Sequence, residues 1–505
     1  MSLAIVYSRA SAGIAAPLVT VEVHLSNGMA GLNIVGLPET AVRESKDRVR
    51  SALMHTHFEF PIRRITINLA PADLPKEGAR FDLPIALGIL AASGQLPRNV
   101  LAQYEFAGEL ALSGELRPIH GVLPLVLGIK QTDRQLIIPE QNAQEAALVN
   151  SAQVLAAKHL LEVCAHLQGQ THLQKCTLSN TPLCVANEPD LSDVKGQPHA
   201  KRALEIAAAG RHSLLYIGPP GTGKTMLASR LPSILPALNE DEALELAAVL
   251  SVSHQGFDPQ QWKKLPFRAP HHSSSSVALV GGGRPPRPGE ISLAHHGVLF
   301  LDELPEFNRH VLECLREPLE SGHITISRAA FQTLFPAHFQ FLAAMNPCPC
   351  GFAGSNVELC QCSPEQIKRY VSKISGPLLS RIDMQVHVIN LTADVLANLP
   401  IRQEEKSEYV KMRVSKAREV QYQRQKKYNS ALLTAELEDH IHLNAPAQKL
   451  LAQMMTRFNL SARAYHRVMK LARTIADLEG VDHVDESHIG EAFQYRCLDR
   501  SKNRN

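Results

Sequence analysis

An eight-residue, glycine-rich segment near the middle of this chain fits the pattern G-x-x-x-x-G-K-[ST]. Its members are Gly218, Pro219, Pro220, Gly221, Thr222, Gly223, Lys224 and Thr225. The apolar run Ser213–Ile217 before it suits a buried parallel strand, and residues 226–231 after it are typical of the start of a helix. In that context the backbone N–H groups bind phosphates, Lys224 reaches the β- and γ-phosphates, and the Thr225 hydroxyl ligates Mg²⁺. The segment therefore predicts a chain that binds a nucleoside triphosphate.

Bulk properties exclude several classes of protein. A length of 505 residues predicts about three domains. The charged share of 20% and the hydrophobic share of 45% are ordinary for a soluble globular protein. No apolar run reaches the roughly 18–20 residues of a membrane span, and the N-terminus lacks a secretion signal, so the expected location is the cytoplasm. A net charge of +3 is too small to indicate nucleic-acid binding by itself.

Changes in composition divide the chain into four predicted parts. Residues 1–168 are predicted to be mixed α/β, 169–190 a linker, 191–391 a nucleotide-binding α/β core, and 392–505 a helical lid that ends in a frayed tail. In the first part, alternating patterns predict strands over Val19–Leu25, Arg64–Leu69 and Gln135–Ile138, and helical patterns predict helices over Thr40–Met54 and Leu83–Ala92.

A second strand is predicted to end in two acids. The apolar run Gly297–Leu301 is followed by Asp302 and Glu303. Acids at the carboxyl end of a parallel strand lie beside bound phosphates. We expect Asp302 to hold Mg²⁺ through water and Glu303 to polarise the water that attacks the γ-phosphate. The alternative is an exposed pair that caps a helix.

A third strand, Phe339–Met345, is predicted to end at Asn346. Its side-chain amide could orient the same attacking water, next to Glu303. The alternative is that Asn346 only forms a turn.

Two arginines later in the chain are candidates for stabilising charge in the transition state. Arg381 precedes a predicted strand, Met384–Ile389, and could reach the γ-phosphate of a neighbouring subunit. The alternative is a salt bridge between Arg381 and Asp383 of the same chain. In the lid, Arg463 opens a predicted helix and could touch the phosphates from the lid side, a role for which Arg467, one turn later, competes.

The order of these motifs resembles that of the AAA+ ATPases. The resemblance implies a ring, a homo-hexamer, with ATP and Mg²⁺ at the subunit interfaces. Three further segments, Phe267–Ser273, Gly281–Glu290 and Leu293–Gly297, are similar to the magnesium-chelatase branch, in which an insertion projects toward the pore. From composition alone, this Ser/Gly/Pro-rich stretch is expected at the surface, either against a phosphate backbone or as a solvated loop.

Four of the nine cysteines form a cluster in the sequence, and the other five are scattered. The clustered residues are Cys348, Cys350, Cys360 and Cys362. Four thiolates at this spacing favour a closed, structural Zn²⁺ site. Reduced thiols without a metal and an iron–sulfur cluster are the alternatives.

The N-terminal part resembles the Lon-protease-type fold of the ribosomal-S5 class, on the segments Arg63–Asp73, Lys76–Pro84 and Ala107–Ile119. Active Lon-like peptidases use a serine nucleophile and a lysine base. Here Arg80 falls at the serine position and Leu123 at about the lysine position. The resemblance therefore implies an inactive peptidase domain, since neither the hydroxyl nor the amine is present.

Two groups of basic residues are candidates for contact with DNA, with ordinary solvated charge as the alternative. One is in the N-terminal part and consists of Arg63, Arg64, Lys76 and Arg80. The other lies between Ile401 and Ser430, a segment that contains nine Lys/Arg and four Asp/Glu.

Across nearly its whole length the chain is similar to the ComM/YifB family of bacterial magnesium-chelatase-like AAA+ proteins, including at Ser461–Arg467. This resemblance implies an ATP-dependent hexameric DNA helicase that promotes branch migration when incoming DNA recombines during natural transformation. The implied partners are branched or single-stranded DNA and recombination proteins. A protein-remodelling ATPase and a motor subunit of a metal chelatase are the other candidate functions.

Overall fold

A computed structural model describes residues 2–177, 189–283, 285–328, 331–354, 358–390 and 404–497. Half of the predicted linker (178–188), the start of the predicted lid at 392–403 and the predicted tail at 501–505 lie outside these described residues.

The N-terminal part is built on a mixed eight-stranded sheet. Its strands are β1 (Ser2–Arg9), β2 (Leu18–Ser26), β3 (Gly31–Val35), β4 (Arg64–Ala70), β5 (Tyr104–Phe106), β8 (Gln135–Pro139), β9 (Val154–Ala157) and β10 (Gln174–Lys175), in the spatial order β10-β9-β8-β5-β1-β2-β4-β3. A separate two-stranded ribbon joins β6 (Glu109–Leu110) and β7 (Leu116–Arg117). The helices are α1 (Thr40–His55), α2 (Asp82–Ala92), α3 (Val122–Ile129), α4 (Ala143–Ala146) and α5 (Leu160–Leu167).

The core of this part lies between the sheet and α2. Alternate residues of β2 face inward, and every residue of α2 is buried. At Gly88 of α2 an added Cβ would lie 2.5 Å from Cγ2 of Val23, so the helix backbone lies directly on the sheet. The strands β2, β4 and β8 and the helices α1 and α2 coincide with the elements predicted from the sequence, and those predictions are confirmed.

The central part contains a parallel five-stranded sheet with the order β12-β15-β18-β11-β19. These strands are β11 (Leu214–Ile217), β12 (Phe267–Arg268), β15 (Val298–Leu301), β18 (Gln340–Met345) and β19 (Met384–His387). Surrounding helices are α6 (Pro198–Gly210), α7 (Lys224–Ser229), α8 (Leu231–Ile234), α9 (Glu240–Ser251), α10 (Ser276–Val280), α11 (Glu290–Leu293), α12 (Arg309–Glu313), α13 (Arg316–Ser321), α14 (Pro364–Val371) and α15 (Gly376–Leu379). All residues of β11 and β15 are buried, as the continuous apolar runs predict.

Two hairpins extend from the central part. One pairs β13 (Gly281–Gly282) with β14 (Arg287–Pro288), and the other pairs β16 (His323–Arg328) with β17 (Phe331–Pro336). The second hairpin was not predicted from the sequence. The insertion was expected to be a surface feature, and this is correct only for its first half. Residues 273, 275, 277 and 278 are exposed, whereas Ile291, Ser292 and His295 are fully buried against the core.

The C-terminal part is helical. Its helices are α16 (Ser407–Gln425), α17 (Leu437–His440), α18 (Ala445–Arg457), α19 (Ala462–Glu479) and α20 (Glu486–Gln494). A buried polar network fixes α16 to α19, because Asp477 accepts hydrogen bonds from Arg424, Asn429 and Arg473. The fold is therefore mixed α/β with a parallel central sheet and a helical C-terminal part, as predicted.

Within the described ranges, no helix is both long enough and apolar enough to cross a membrane.

Candidate nucleotide-binding site

The glycine-rich segment connects β11 to α7. It follows the carboxyl end of β11, which lies between β18 and β19 in the sheet, and α7 begins at Lys224. Gly221 and Gly223 have φ values of +77° and +81°, a region that residues with a Cβ rarely adopt. The Oγ1 of Thr222 donates a hydrogen bond to the Pro219 carbonyl oxygen (2.9 Å) and closes the loop. The loop thus presents its backbone at a helix N-terminus, the geometry that binds phosphate.

Lys224 is directed into this loop. Its Nζ donates to the carbonyl oxygens of Gly218 (2.8 Å) and Pro219 (2.7 Å) and lies 3.2 Å from Oδ1 of Asn346. Burial lowers the pKa of Lys224, while the nearby Asp302 and Glu303 favour its charged form. The structure therefore brings Lys224 and Asn346 together at the carboxyl end of β18, a contact that was not predicted from the sequence.

Two oxygen ligands suited to Mg²⁺ meet at the start of α7. Asp302 directly follows β15, and its Oδ2 accepts a hydrogen bond from Oγ1 of Thr225 at 2.5 Å. Hydroxyl and carboxylate oxygens are the hard donors that Mg²⁺ selects. The residues present therefore fit a Mg²⁺ ion held by Thr225 and Asp302.

Glu303 lies at the same edge of the sheet in a strained backbone conformation. Its φ of +50° is in the left-handed region, which costs free energy for a residue with a Cβ. The Oε2 of Glu303 lies 3.4 Å from Nδ1 of His272. The sequence predicts His272 only as part of a surface insertion, and no local pattern in the chain indicates its contact with Glu303.

Arg381 and Arg463 meet at one carboxylate, that of Glu320. Arg381 forms a short ion pair with Oε1 of Glu320, and Nη2 of Arg463 lies 2.8 Å from the same atom. The hydrogen bond from Arg381, together with that from Arg463, lowers the pKa of Glu320. Nη1 of Arg463 also donates to Oγ of Ser380 (3.2 Å). Glu320 was not singled out in the sequence.

This pair of arginines lies at the sheet edge opposite the phosphate loop. Arg381 precedes β19, and β19 runs parallel to β11, whose carboxyl end carries the loop. The strand length of four residues separates the two edges by about 13 Å. Arg463 therefore lies beside Arg381 rather than beside the loop of its own chain.

Arg467 and Asp383 form a separate ion pair. Nη1 of Arg467 lies 3.3 Å from Oδ1 of Asp383. Although burial favours the neutral carboxyl, Arg467 and His212 hold the pKa of Asp383 well below its usual value. Asp383 therefore pairs with Arg467, and the alternative salt bridge between Arg381 and Asp383 is not formed. The ion pair with Arg467 stabilises the start of β19.

The four clustered cysteines converge in space, and their Sγ atoms all lie within 4.8 Å of one another. The Sγ of Cys348 is 3.3 Å from that of Cys350 and 3.7 Å from that of Cys360. Four thiolates at tetrahedral Zn–S distances would be about 3.8 Å apart, whereas a disulfide would hold two sulfurs at about 2.0 Å. The backbone N–H of Ala353 donates to Sγ of Cys348 (3.3 Å). The donor set fits Zn²⁺.

A second group of potential metal ligands is better described as a hydrogen-bonded cluster. Glu245, His295 and His296 bring three ligand atoms together. The backbone N–H of His338 donates to Nδ1 of His295 (3.1 Å), so Nε2 carries the proton and donates to Glu245. Burial lowers the pKa of His295 to about 4, and the hydrogen bond from His295 helps to lower the pKa of Glu245 to about 2. A protonated Nε2 cannot ligate a metal.

Only two of the four basic residues predicted to form a surface in the N-terminal part are exposed. Arg63 and Arg64 are exposed, but Lys76 is fully buried and bonds to the carbonyl oxygen of Pro71. Arg80 is 8% exposed, and its Nη2 donates to the His120 carbonyl oxygen (2.9 Å). These two cations are therefore held inside the domain.

The positions assigned to the missing peptidase residues are both buried. Arg80 lies in a short turn before α2, and burial lowers its pKa to about 10. Leu123 lies in α3 with no exposed surface. The inactivity of this domain stays a prediction.

Most basic residues of α16 and of the turn that follows it are engaged within the chain. Arg413 binds Glu205 and Glu405, and Arg418 donates to the Ala208 carbonyl oxygen. Arg424 and Lys427 bind Asp477 and Glu436, respectively. These contacts favour a structural role for the positive charge of this helix.

Models of one family match three segments of the chain. The model described as "Magnesium chelatase, subunit ChlI" matches residues 190–396, "Subunit ChlI of Mg-chelatase" matches 21–142, and "Magnesium chelatase, subunit ChlI C-terminal" matches 404–496.

Several curated proteins are similar to this chain. Competence protein ComM of Haemophilus influenzae is 53% identical over 505 residues, which is 99% of this chain and 98% of the relative. The uncharacterized protein YifB of Escherichia coli is 49% identical over 500 residues, 99% of this chain and 98% of the relative. Lon protease 2 of Bacillus subtilis is 27% identical over 162 residues, 29% of this chain and 29% of the relative. The chain belongs to the ComM/YifB family of magnesium-chelatase-like AAA+ proteins.

Proposed function

We propose that this protein is an ATPase whose hydrolytic residues lie at the carboxyl edge of the central sheet. The observation that carries the proposal is the convergence of the phosphate loop, Lys224, Asn346 and the Thr225–Asp302 pair at that edge. Lys224 would bind the β- and γ-phosphates of ATP, and Thr225 and Asp302 would hold Mg²⁺. The bound Mg²⁺ would neutralise charge that develops on the phosphates.

Glu303 and Asn346 are positioned to act on the attacking water. Glu303 follows Asp302 at the strand end, and we expect its carboxylate to lie beside the γ-phosphate of bound ATP. A carboxylate in this place accepts a hydrogen bond from the water and orients it for in-line attack. The Asn346 amide would hold the same water from the side of β18.

We further propose that Arg381 and Arg463 act on the nucleotide of a neighbouring subunit. Both lie at the edge opposite their own phosphate loop, and both bind Glu320. A guanidinium that reaches a γ-phosphate from a second subunit stabilises charge in the transition state. Such an arrangement requires head-to-tail contacts, which close into a ring, and we propose a homo-hexamer.

The proposed cellular role is an ATP-driven DNA motor that promotes branch migration when incoming DNA recombines during natural transformation. The support is membership of the ComM/YifB family and the relative named Competence protein ComM, which is 53% identical over the full chain. Branched or single-stranded DNA would be the substrate, recombination proteins would be partners, and the work would be done in the cytoplasm.

A branch-migration assay tests this role. A labelled four-way junction with homologous arms is incubated with protein and ATP, and the duplex products are separated by electrophoresis. We expect ATP-dependent conversion of the junction, which the Lys224→Ala variant fails to perform. If wild-type protein with measurable ATPase activity leaves the junction intact but unfolds a tagged protein substrate, the role is protein remodelling instead.

We also propose that the N-terminal domain is not a peptidase and that the four cysteines hold a structural Zn²⁺ ion. Arg80 and Leu123 offer no nucleophile and no base. The expected outcomes are no cleavage of casein by the full chain and one zinc per chain by elemental analysis.

A further inference from the structure

The loop that carries the four cysteines lies directly against the phosphate loop. Gly351, between Cys350 and Cys360 in the chain, has a φ of +89°. A Cβ added to Gly351 would lie 2.7 Å from Cδ of Pro220, which is closer than real Cβ contacts. The backbone of the cysteine loop and the ring of Pro220 are therefore in van der Waals contact, with no room for a side chain between them.

The cysteine loop is attached to the nucleotide site at its start and to α14 at its end. At its start, Cys348 follows Asn346 by two residues, and Oδ1 of Asn346 lies 3.2 Å from Nζ of Lys224. At its end, Cys362 precedes Ser363, whose side chain caps α14. Movement of the loop would therefore be transmitted to Asn346 through the chain at its start and to Pro220 through the contact at Gly351.

Little apolar burial holds this loop together. Among its described residues, 347–354 and 358–362, Cys348 and Gly351 are buried, whereas Leu359 is 93% exposed. A segment without its own core is stabilised by a metal, because the free energy of binding is also free energy of folding.

We propose that Zn²⁺ at the four cysteines positions the phosphate loop, so that the affinity for ATP depends on zinc occupancy. The inference rests on the proposed binding of ATP at this loop, but it does not depend on DNA or on hydrolysis. Zinc fixes the turn at Gly351 against Pro220 and holds Asn346 at Lys224. Without zinc, the loop samples other conformations, and the binding-competent state becomes a minority.

The test measures zinc content and the Kd of a fluorescent ATP analogue, with excess Mg²⁺ and no DNA. Zinc is withdrawn from wild-type protein with a chelator selective for zinc over magnesium and is then added back. We expect loss of one zinc per chain and a Kd about tenfold higher, as for a competent fraction of about one tenth, with recovery after zinc is restored. Circular dichroism would show that the rest of the fold persists.

Matched variants separate the effect of zinc loss on ATP affinity from other effects of substitution. Cys362→Ser should lose zinc and affinity together, whereas Cys176→Ser, in the N-terminal domain, should change neither. Gly351→Ala keeps all four cysteines and should retain zinc, yet it should weaken binding, because the new methyl group collides with Pro220. Gly351→Ala therefore tests the contact with Pro220, and withdrawal of zinc from wild-type protein decides the dependence on zinc if Cys362→Ser does not fold.

Folded, zinc-free protein that binds the analogue as tightly as zinc-loaded protein would overturn the inference and leave the proposed ATPase intact. Failure of zinc-loaded wild-type protein to bind the analogue at all would instead contradict the proposed function.

Discussion

The hydroxyl of Thr225 lies 2.5 Å from Oδ2 of Asp302, although 77 residues separate them in the chain. Thr225 is in the first turn of α7, and Asp302 directly follows β15. The pair joins the phosphate loop to the strand end that carries Glu303. It therefore places the two proposed Mg²⁺ ligands next to Glu303, the residue proposed to activate water.

Substitution of Glu303 should separate binding from hydrolysis. Glu303→Gln removes the carboxylate that orients water but leaves the phosphate loop unchanged. We expect ATP affinity near that of wild type and a kcat reduced by about 100-fold or more. Equilibrium binding and steady-state ATPase rates measure the two effects. Glu306→Gln is the matched control, since Glu306 binds exposed Lys373, and an equal loss of rate in both variants would argue against the assignment.

Mixing two inactive variants should restore hydrolysis if Arg381 acts on a neighbouring subunit. Lys224→Ala lacks a working nucleotide site but keeps Arg381, and Arg381→Ala is the reverse. Each alone should lose at least about 1,000-fold in kcat. In a mixed ring, some interfaces join the intact nucleotide site of an Arg381→Ala subunit to the intact Arg381 of a Lys224→Ala subunit. The ATPase rate of the mixture should therefore exceed that of either variant alone. Mixed rings that form and stay inactive would contradict action between subunits.

Arg463→Ala tests whether the two arginines act at the same interface. Because Arg463 and Arg381 share Glu320, we expect reduced kcat with little change in ATP affinity, and partial recovery on mixing with Lys224→Ala. A large loss of ATP affinity in rings that do not recover on mixing would place Arg463 at the nucleotide of its own chain.

The histidine cluster at His295 should make the protein less stable in acid. Burial lowers the pKa of His295 to about 4, whereas an unfolded histidine titrates near 6.5. As the pH falls from about 6.5 to 4, the unfolded chain binds a proton that the folded chain does not, so stability falls. Burial also lowers the pKa of the adjacent His338, which acts in the same direction, while Glu245 stays ionised.

The measurement is Tm against pH for wild type and for His295→Gln, which does not titrate at this position. We expect a shallower fall of Tm between pH 6.5 and 4 in the variant. Parallel curves would show that the protonation of His295 is not linked to folding.

The buried network of the helical part should be costly to break. The Asp477 side chain has no exposed surface and faces Arg424 and Arg473. Asp477→Ala would leave both cations without their shared partner, and we expect a loss of about 3–5 kcal/mol in the free energy of unfolding. Denaturant titration of the full chain measures it. Lys416→Ala, on the exposed face of α16, should change stability by less than about 0.5 kcal/mol, and a similar value for Asp477→Ala would refute the role of the network.

The elements that the sequence predicted are those with short-range signals. The phosphate loop, the acids after β15 and the amide after β18 each follow a continuous apolar run, which defines a buried strand. Their convergence follows from a general rule, because parallel strands present their carboxyl ends at one edge. Thr225 and Asp302 illustrate this, since each was assigned from local pattern and the sheet brought them together.

The relationships that sequence analysis missed depend on tertiary packing. No pattern in the sequence distinguishes Glu320 from the other acidic residues. Its role is visible only in the structure, where both Arg381 and Arg463 bind its carboxylate. Lys76 and Arg80 read as surface charges, yet backbone carbonyl groups accept their hydrogen bonds inside the domain. The sequence does not indicate that these cationic side chains are buried, because their hydrogen-bond acceptors are main-chain carbonyl groups, which every residue has.

The proposal that this protein is an ATPase that works on DNA can be tested by the rate of ATP hydrolysis. The rate is measured without DNA and with single strands, linear duplex or a four-way junction, with Lys224→Ala as the control for contaminating activity. We predict stimulation by DNA that is greatest with the junction and absent in Lys224→Ala. A wild-type rate that no DNA raises would contradict the claim.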